Sequence, residues 1–337
     1  MFAAGTGAGA LRARQGLLYH RKSYNHPCRA GVMPKITVVG AGNVGATAAQ
    51  RIAEEGLGEV VMVDVVEGLA EGKALDLAEA SPILGKSISL TGGTDNALMK
   101  GSDLVVVTAG VARKPGMSRD DLLEINKKIV GGIADDIRRH APSAVVIVVT
   151  NPLDAMAHLT LRRTGFPRER VIGMAGELDT ARFRYFIARE LNVAGQDVQA
   201  ILLGGHGDGM VPLPEYTTVN GIPLGQLLSQ ERIDALVQRT VDGGAEIVKL
   251  LKQGSAYYAP SAAIASMARA ILRDERKLFC ASVLLQGEYG YRDLFLGVPA
   301  VLGKGGLRNI IELPLSAAAK GKLKASAASV QENRDKL

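Results

Sequence analysis

His206 stands in the stretch LLGGHGDGMVP, among Gly204, Gly205, Gly207 and Gly209 and beside Asp208, directly after the apolar run 198–203. An imidazole titrates closer to neutral pH than other unperturbed side chains, so one held by a carboxylate and open to a small molecule can take up and return a proton. The same stretch also reads as a plain glycine turn on which the histidine rides. Asp179 and Arg182, three residues apart in GELDTARFRYFIARELN, share one face of a helix expected to start near Leu178–Thr180. They form either a surface ion pair worth a few tenths of a kcal/mol, or two separate tools: a carboxylate that orients a histidine and a guanidinium that clamps an anion. Arg113 and Arg119 flank Pro115 and Gly116 in ARKPGMSRDD. That polar stretch is either solvated charge or a loop, hinged at Gly110 and Gly116, that closes over an anion and excludes water.

These groups need elements to carry them. From Ile36 the chain reads as an apolar β-branched strand, a glycine turn, an alanine-rich helix and a second apolar strand ending at Asp64. Further apolar runs at 103–108 and 144–150 are separated by helical pattern, with Pro142 helping to stop the helix between them. Continuous rather than alternating hydrophobicity marks strands covered on both faces, hence a parallel sheet. Ligands of such sheets sit beyond the carboxyl ends of the strands, where Asp64, the Arg113–Arg119 stretch and Asn151 all fall.

In the first turn, Gly40, Ala41, Gly42, Asn43, Val44 and Gly45 form GxGxxG. Gly40 permits the tight turn, Gly42 lets main chain approach a pyrophosphate, and Gly45 lets helix and strand pack closely. Asp64 stands at the end of the next strand, where a carboxylate accepts hydrogen bonds from ribose hydroxyls and repels a 2′-phosphate, which favours NAD over NADP. The fold expected is α/β, with a doubly wound parallel-sheet Rossmann domain at 34–174.

Composition removes other classes. The 337 residues are 47% hydrophobic and 22% charged, as in globular proteins with a sizeable core, and no apolar run reaches the roughly 18 residues of a membrane span. Cys28 and Cys280 are far apart in sequence and form no metal-ligand pattern; no metal is expected. The net charge is +6, but residues 1–32 hold five arginines and lysines and no acid, so the remainder carries +1; a nucleic-acid partner is not expected. That leader reads as disordered or as an upstream-extended start before Met33, with a transit peptide as the alternative. A cytoplasmic location is expected, or an organelle if the leader is a transit peptide. His20, His26, His140 and His158 read as structural, Met62, Met156 and Met174 as core filling, and GKSISL and GKLKAS lack phosphate-loop spacing.

Taken in order, GAGNVG with Asp64, TAGVARKPGMSRDDLLEIN, TNPLDAM, GELDTARFR, GGHGDGMVP, GSAYYAPSAA and GVPAVLGKGGL closely resemble the lactate/malate dehydrogenase family, particularly its lactate-dehydrogenase-like malate dehydrogenases, from about Lys35 to near the carboxyl terminus. The resemblance implies a mixed α/β catalytic domain at 175–337, after the Rossmann domain, and NAD-dependent hydride transfer to and from a 2-hydroxy acid. It makes His206 the general acid/base and Asp179 the partner that orients it. It gives Arg182 the C1 carboxylate, Arg119 the developing charge on the C2 oxygen, and Asn151 a hydrogen bond to that oxygen. Asn126, Val149 and Thr150 fall beside the nicotinamide half of NAD, with Asn151 at its boundary. Arg113 matches the cation with which malate-specific members neutralise a second carboxylate, where lactate dehydrogenases commonly carry glutamine. The resemblance also implies a homo-oligomer, tetramer or dimer. Lactate dehydrogenase and a catalytically silent NAD-binding protein are the competing readings.

Overall fold

The structure, a computed structural model, describes residues 33–112 and 116–337; of Arg119 only the backbone is described. The basic leader 1–32 with its Cys28, His20 and His26, and the residue Arg113, therefore lie outside the described residues.

Strands β1 (Lys35–Val39), β2 (Glu59–Val63), β3 (Leu90–Gly93), β4 (Leu104–Val107), β5 (Val145–Val148) and β6 (Val171–Gly173) alternate with helices α1 (Asn43–Glu54), α2 (Leu69–Glu79), α3 (Ser81–Leu84), α4 (Arg119–His140) and α5 (Leu153–Thr164). The strands lie in the order β3-β2-β1-β4-β5-β6, every neighbouring pair parallel. The order reverses between β1 and β4, so the crevice of a doubly wound sheet opens beyond their carboxyl ends.

The remaining chain forms α6 (Gly176–Leu191), β7 (Val198–Gln199), β8 (Leu202–Gly204), β9 (Met210–Pro212), β10 (Thr218–Val219), β11 (Ile222–Pro223), α7 (Leu224–Leu227), α8 (Gln230–Leu251), α9 (Tyr258–Leu272), β12 (Lys277–Gln286), β13 (Arg292–Gly303), β14 (Gly306–Ile310) and α10 (Ala317–Asp335). Ser282 of β12 pairs with Gly173 of β6, and Gly204 of β8 with Gly297 of β13. Among the described residues the parallel sheet thus runs on into an antiparallel half, giving eleven strands in one sheet, with β7, β10 and β11 forming a smaller one. Glycine is required at both junctions: a Cβ on Gly173 would stand 2.8 Å from that of Ser282, and one on Gly297 2.4 Å from the Gly204 carbonyl oxygen.

The unbroken hydrophobicity of the parallel strands follows from coverage on two faces. Leu104 and Val106 pack with Ala48 and Ile52 of α1 and Ile264 and Met267 of α9, whereas Val105 and Val107 pack with Leu123, Val130 and Ile137 of α4 and Met156 of α5. Neither face leaves β4 any exposure to water, and burial at roughly 25 cal/mol per Å² makes such strands the main stabilising feature of the fold. The apolar run 198–203 is divided: Val198 belongs to the smaller sheet, Leu202 and Leu203 to the large one. Among the described residues no helix is long and apolar enough to cross a membrane.

His158 on α5 is buried against Phe295, and neither ring nitrogen has a hydrogen-bond partner among the described residues. Burial, reinforced by the Arg162 guanidinium, lowers its pKa to about 4 against the pull of Asp293, whose carboxylate lies 3.8 Å away. A histidine that must lose its proton on folding stabilises the fold fully above its unfolded pKa, and that contribution disappears as pH falls from about 6.5 toward 4. Denaturant titrations over this window should therefore show up to about 1.4 kcal/mol lost per pH unit from this group. His158→Leu should remove that slope, and an unchanged slope would show that other groups carry it.

Candidate active site

The first turn is set by backbone demands. Gly40 leaves β1 at φ +102, where a Cβ would stand 2.6 Å from the Ala109 nitrogen. A Cβ on Gly45 would stand 1.8 Å from the Gly40 carbonyl oxygen, which explains the third glycine of the motif. Gly42, in contrast, has open space where its side chain would be. It caps α1, whose first turn carries Asn43, Val44 and no acidic residue. Free N–H groups and the positive end of the helix dipole thus face an open surface, as a pyrophosphate needs. Asp64 follows β2; its carboxylate accepts from the Ala41 N–H at 2.7 Å and the Val66 N–H at 3.0 Å. The Lys73 ammonium donates to the Ala41 carbonyl at 2.7 Å, so both ends of the Ala41 peptide are held by charged groups.

The ends of β4 and β5 lie alongside. Thr150 donates to the Ala109 carbonyl at 2.6 Å, and the main chain of Val149 donates to Val107 at 2.9 Å. Asn126, buried on α4, accepts from the Val111 N–H at 2.8 Å and donates to the carbonyls of Val111 at 3.1 Å and Asn151 at 2.7 Å. Its amide thus ties two strand-end loops together. Asn151 itself is exposed. Arg119 is the first residue of α4 rather than part of the preceding loop, because Ser118 caps the helix in a reciprocal capping box with Asp121.

Across the crevice, α6 begins at Gly176, two residues before the expected start. Asp179 and Arg182 do pair, at 2.9 Å, but the pair is buried: the Asp179 side chain is 2% exposed and Arg182 12%. The second Asp179 oxygen lies 2.8 Å from Nδ1 of His206. The pair is therefore not the surface ion pair that the spacing also allowed, and the Asp179 carboxylate divides its two oxygens between guanidinium and imidazole. Burial works against the imidazolium, but the Asp179 charge and hydrogen bond more than offset it, leaving the His206 pKa above its ordinary value. Arg182 also has a buried Nε without a hydrogen-bond partner among the described residues, beside Gly243 of α8.

The turn that carries His206 is held from beneath. Ser326 of α10 accepts from the Gly205 N–H at 2.8 Å, and Asp154 of α5 accepts from the His206 main-chain N–H at 3.1 Å. Sequence reasoning had no signal for either residue: Asp154 reads as an ordinary acid in a first helical turn, and Ser326 as one of several small residues on an alanine-rich helix. Among the described residues no cluster of histidine, cysteine or acidic side chains could hold a metal ion.

Residues 34–173 match the lactate/malate dehydrogenase NAD binding domain, and residues 176–337 the α/β C-terminal domain of the same family. The chain belongs to the lactate/malate dehydrogenase family. It is 53% identical over 305 residues to the malate dehydrogenase of Methanosarcina mazei, covering 90% of this chain and 99% of that protein. The crystal structure of Cryptosporidium parvum malate dehydrogenase superposes with a TM-score of 0.88 at 41% identity, covering 90% of this chain and 98% of that one. A lactate dehydrogenase from Eimeria maxima, solved with NADH and oxamate, gives 0.87 at 39% identity over 90% and 93%. The chain thus superposes about equally well on a malate dehydrogenase and on a lactate dehydrogenase.

The 1.8 Å approach at Gly45 yields a direct test. Gly45→Ala must push α1 away from the Gly40 carbonyl, and overpacking of this kind costs about 1–3 kcal/mol. Thermal unfolding should register that loss, and a melting temperature equal to the parent's would show that the turn accommodates a side chain at 45.

Proposed function

We propose that this protein is an NAD-dependent malate dehydrogenase that interconverts (S)-malate and oxaloacetate, with His206 as the general acid/base. The observation that carries the reading is the cluster of Asp179, Arg182 and His206, in which the buried Asp179 lies 2.9 Å from the guanidinium and 2.8 Å from the imidazole of two partly exposed neighbours. Residues suited to NAD stand on the other side of the crevice: the Gly40–Gly45 turn for the pyrophosphate, Asp64 for the adenosine ribose, and the segments at Asn126, Val149, Thr150 and Asn151 for the nicotinamide half. Asp64 would exchange its main-chain partners for ribose hydroxyls, and a 2′-phosphate would meet its negative charge.

When bound, NAD supplies the acceptor for the hydride from C2 of the hydroxy acid. The chain's own residues handle the proton and the charges. With Nδ1 facing Asp179, the opposite nitrogen of His206 is the one that receives the hydroxyl proton during oxidation and returns it during reduction. Asp179 holds the tautomer and stabilises the imidazolium. Arg182 pairs with the C1 carboxylate in two-point geometry, which a lysine could not match. Asn151 hydrogen-bonds the C2 oxygen, and Arg119 steadies the charge that develops there, an effect typically worth a few kcal/mol. Arg113 is assigned to the second carboxylate; with pyruvate instead, a desolvated guanidinium would be left unpaired. Relatives that are more than half identical and named malate dehydrogenase support this substrate choice.

Assembly as a homo-oligomer, dimer or tetramer, belongs to the same reading, and such contacts would cover exposed apolar side chains such as Leu75 on α2, Ile83 on α3 and Leu250 on α8. Light scattering should give a mass that is a multiple of the 35.4 kDa chain.

Purified protein should oxidise NADH rapidly with oxaloacetate and at least about 100-fold more slowly with pyruvate at matched concentrations. A pyruvate preference would keep the hydride chemistry and reverse the substrate, and turnover of neither would leave a silent binder. Arg113→Gln should narrow the ratio, whereas an unchanged ratio would place the second carboxylate elsewhere. His206→Ala should abolish turnover and spare NADH binding; retained turnover would remove the assigned role. Because Asp179 holds the His206 pKa above the ordinary value, malate oxidation should rise with pH through a limb above about 6.5, and oxaloacetate reduction should fall through the same limb.

A further inference from the structure

Asp154 is 7% exposed, and both of its oxygens are engaged: Ser282 of β12 donates its hydroxyl to Oδ1 at 2.6 Å, and the main-chain N–H of His206 donates to Oδ2 at 3.1 Å. No lysine or arginine lies within ion-pair distance of it among the described residues. Buried carboxylates without a cation are uncommon, because a neutral asparagine or serine could make the same hydrogen bonds without the desolvation penalty. The ionisable groups that act most on Asp154 include the His206 imidazole and the Asp179 carboxylate. Those facing His206 include Asp179 and Arg182 from α6 and Asp154 from α5, while β12 and α10 contribute the uncharged Ser282 and Ser326. Asp179 is the first carboxylate to face the protonated imidazole and divides its oxygens between His206 and Arg182; Asp154, held against the His206 main chain from α5, is the second.

We propose that Asp154 is a positioning residue for His206, gripping its main chain through one oxygen and presenting its ring with a second negative charge that favours the protonated imidazole. The proposal rests on the reading of His206 as acid/base. Glycine at 205 is part of the arrangement, since a Cβ there would stand 3.2 Å from the Asp154 carboxylate and 2.5 Å from Val330 of α10. Burial pushes the Asp154 carboxyl above the ordinary carboxylate range, and the two donated hydrogen bonds oppose that rise. Ser282 thereby helps to keep the charge in place.

Asp154→Asn separates charge from shape. Its amide oxygen can accept from the His206 N–H, and its NH₂ can donate to the Ser282 hydroxyl, so the turn keeps its support and only the charge is lost. In the full-length variant the pH limb seen in both malate oxidation and oxaloacetate reduction should move to lower pH by about half to one unit. Above the limb, kcat/KM for reduction should consequently fall about three- to tenfold, while the melting temperature and NADH affinity stay near the parent's. A limb that coincides with the parent's in a folded Asp154→Asn protein overturns the proposal, because a purely structural residue would leave it in place. If that variant does not fold, Ser282→Ala serves: loss of its hydroxyl weakens the Asp154 charge and should shift the limb the same way by less, and an unmoved limb again overturns the proposal. Failure of the underlying reading looks different, since the parent would then show no such limb or His206→Ala would retain turnover.

Discussion

A carboxylate with 2% exposure cannot keep its charge unless the protein replaces the water it has lost. For Asp179 the replacement is complete only when a guanidinium and an imidazole arrive together, one on each oxygen. Arg182 comes with the same helix at i+3 and is present as soon as α6 forms. His206 comes from a turn 27 residues further along, and nothing local brings it there. The antiparallel half of the sheet has to do so, by pairing Gly204 with Gly297 and setting β8 against β13. The geometry of the Asp179–Arg182–His206 cluster is thus a long-range property of the sheet, even though two of its three groups sit on one helical face.

The parallel half imposes a matching condition on the cofactor side. Six parallel strands place all their carboxyl ends at one edge, so Gly40, Asp64, Thr108 and Val149 lie together although more than 100 residues separate the first from the last. Close approach then decides residue type: Gly40 and Gly45 have no room for a side chain, while Gly42 has room and leaves it open for a ligand. Because β6 passes the sheet on to β12 through Gly173 and Ser282, the two halves share hydrogen-bonded strands rather than a sliding interface. Ser282 serves twice, as the junction residue and as the donor to Asp154.

What could be read from the sequence followed the range of the interactions. The parallel strands were legible because burial on both faces leaves an unbroken β-branched signature, and the GAGNVG turn because glycine spacing records backbone collisions directly. The start of α6 was placed two residues late, since Ala175 caps it without a side-chain hydrogen bond that would mark the end. Asp179 and Arg182 were visible as neighbours, but their burial was not, because i,i+3 spacing looks alike on a wet face and a dry one. The join of the two halves into one sheet rests on single residue pairs between distant glycines and their partners, and Asp154 has the sequence context of any acid in a first helical turn. Neither leaves a periodic or local signal.

The carboxyl-terminal helix shows how far such constraints reach. α10 lies far along the chain from Gly205, yet its Ser326 accepts from Gly205 and its Val330 fills the space that a side chain at 205 would need. One turn beyond, Lys336 pairs with Asp120 at 2.8 Å and its carbonyl accepts from Lys127 at 2.7 Å, both on α4. α4 is the helix that begins at Arg119 and carries Asn126. The histidine turn and the helix following the Arg113 stretch are therefore braced by one rigid rod. The glycines around His206 give the turn its shape, and the groups fixing it in space come from α5, α6 and α10.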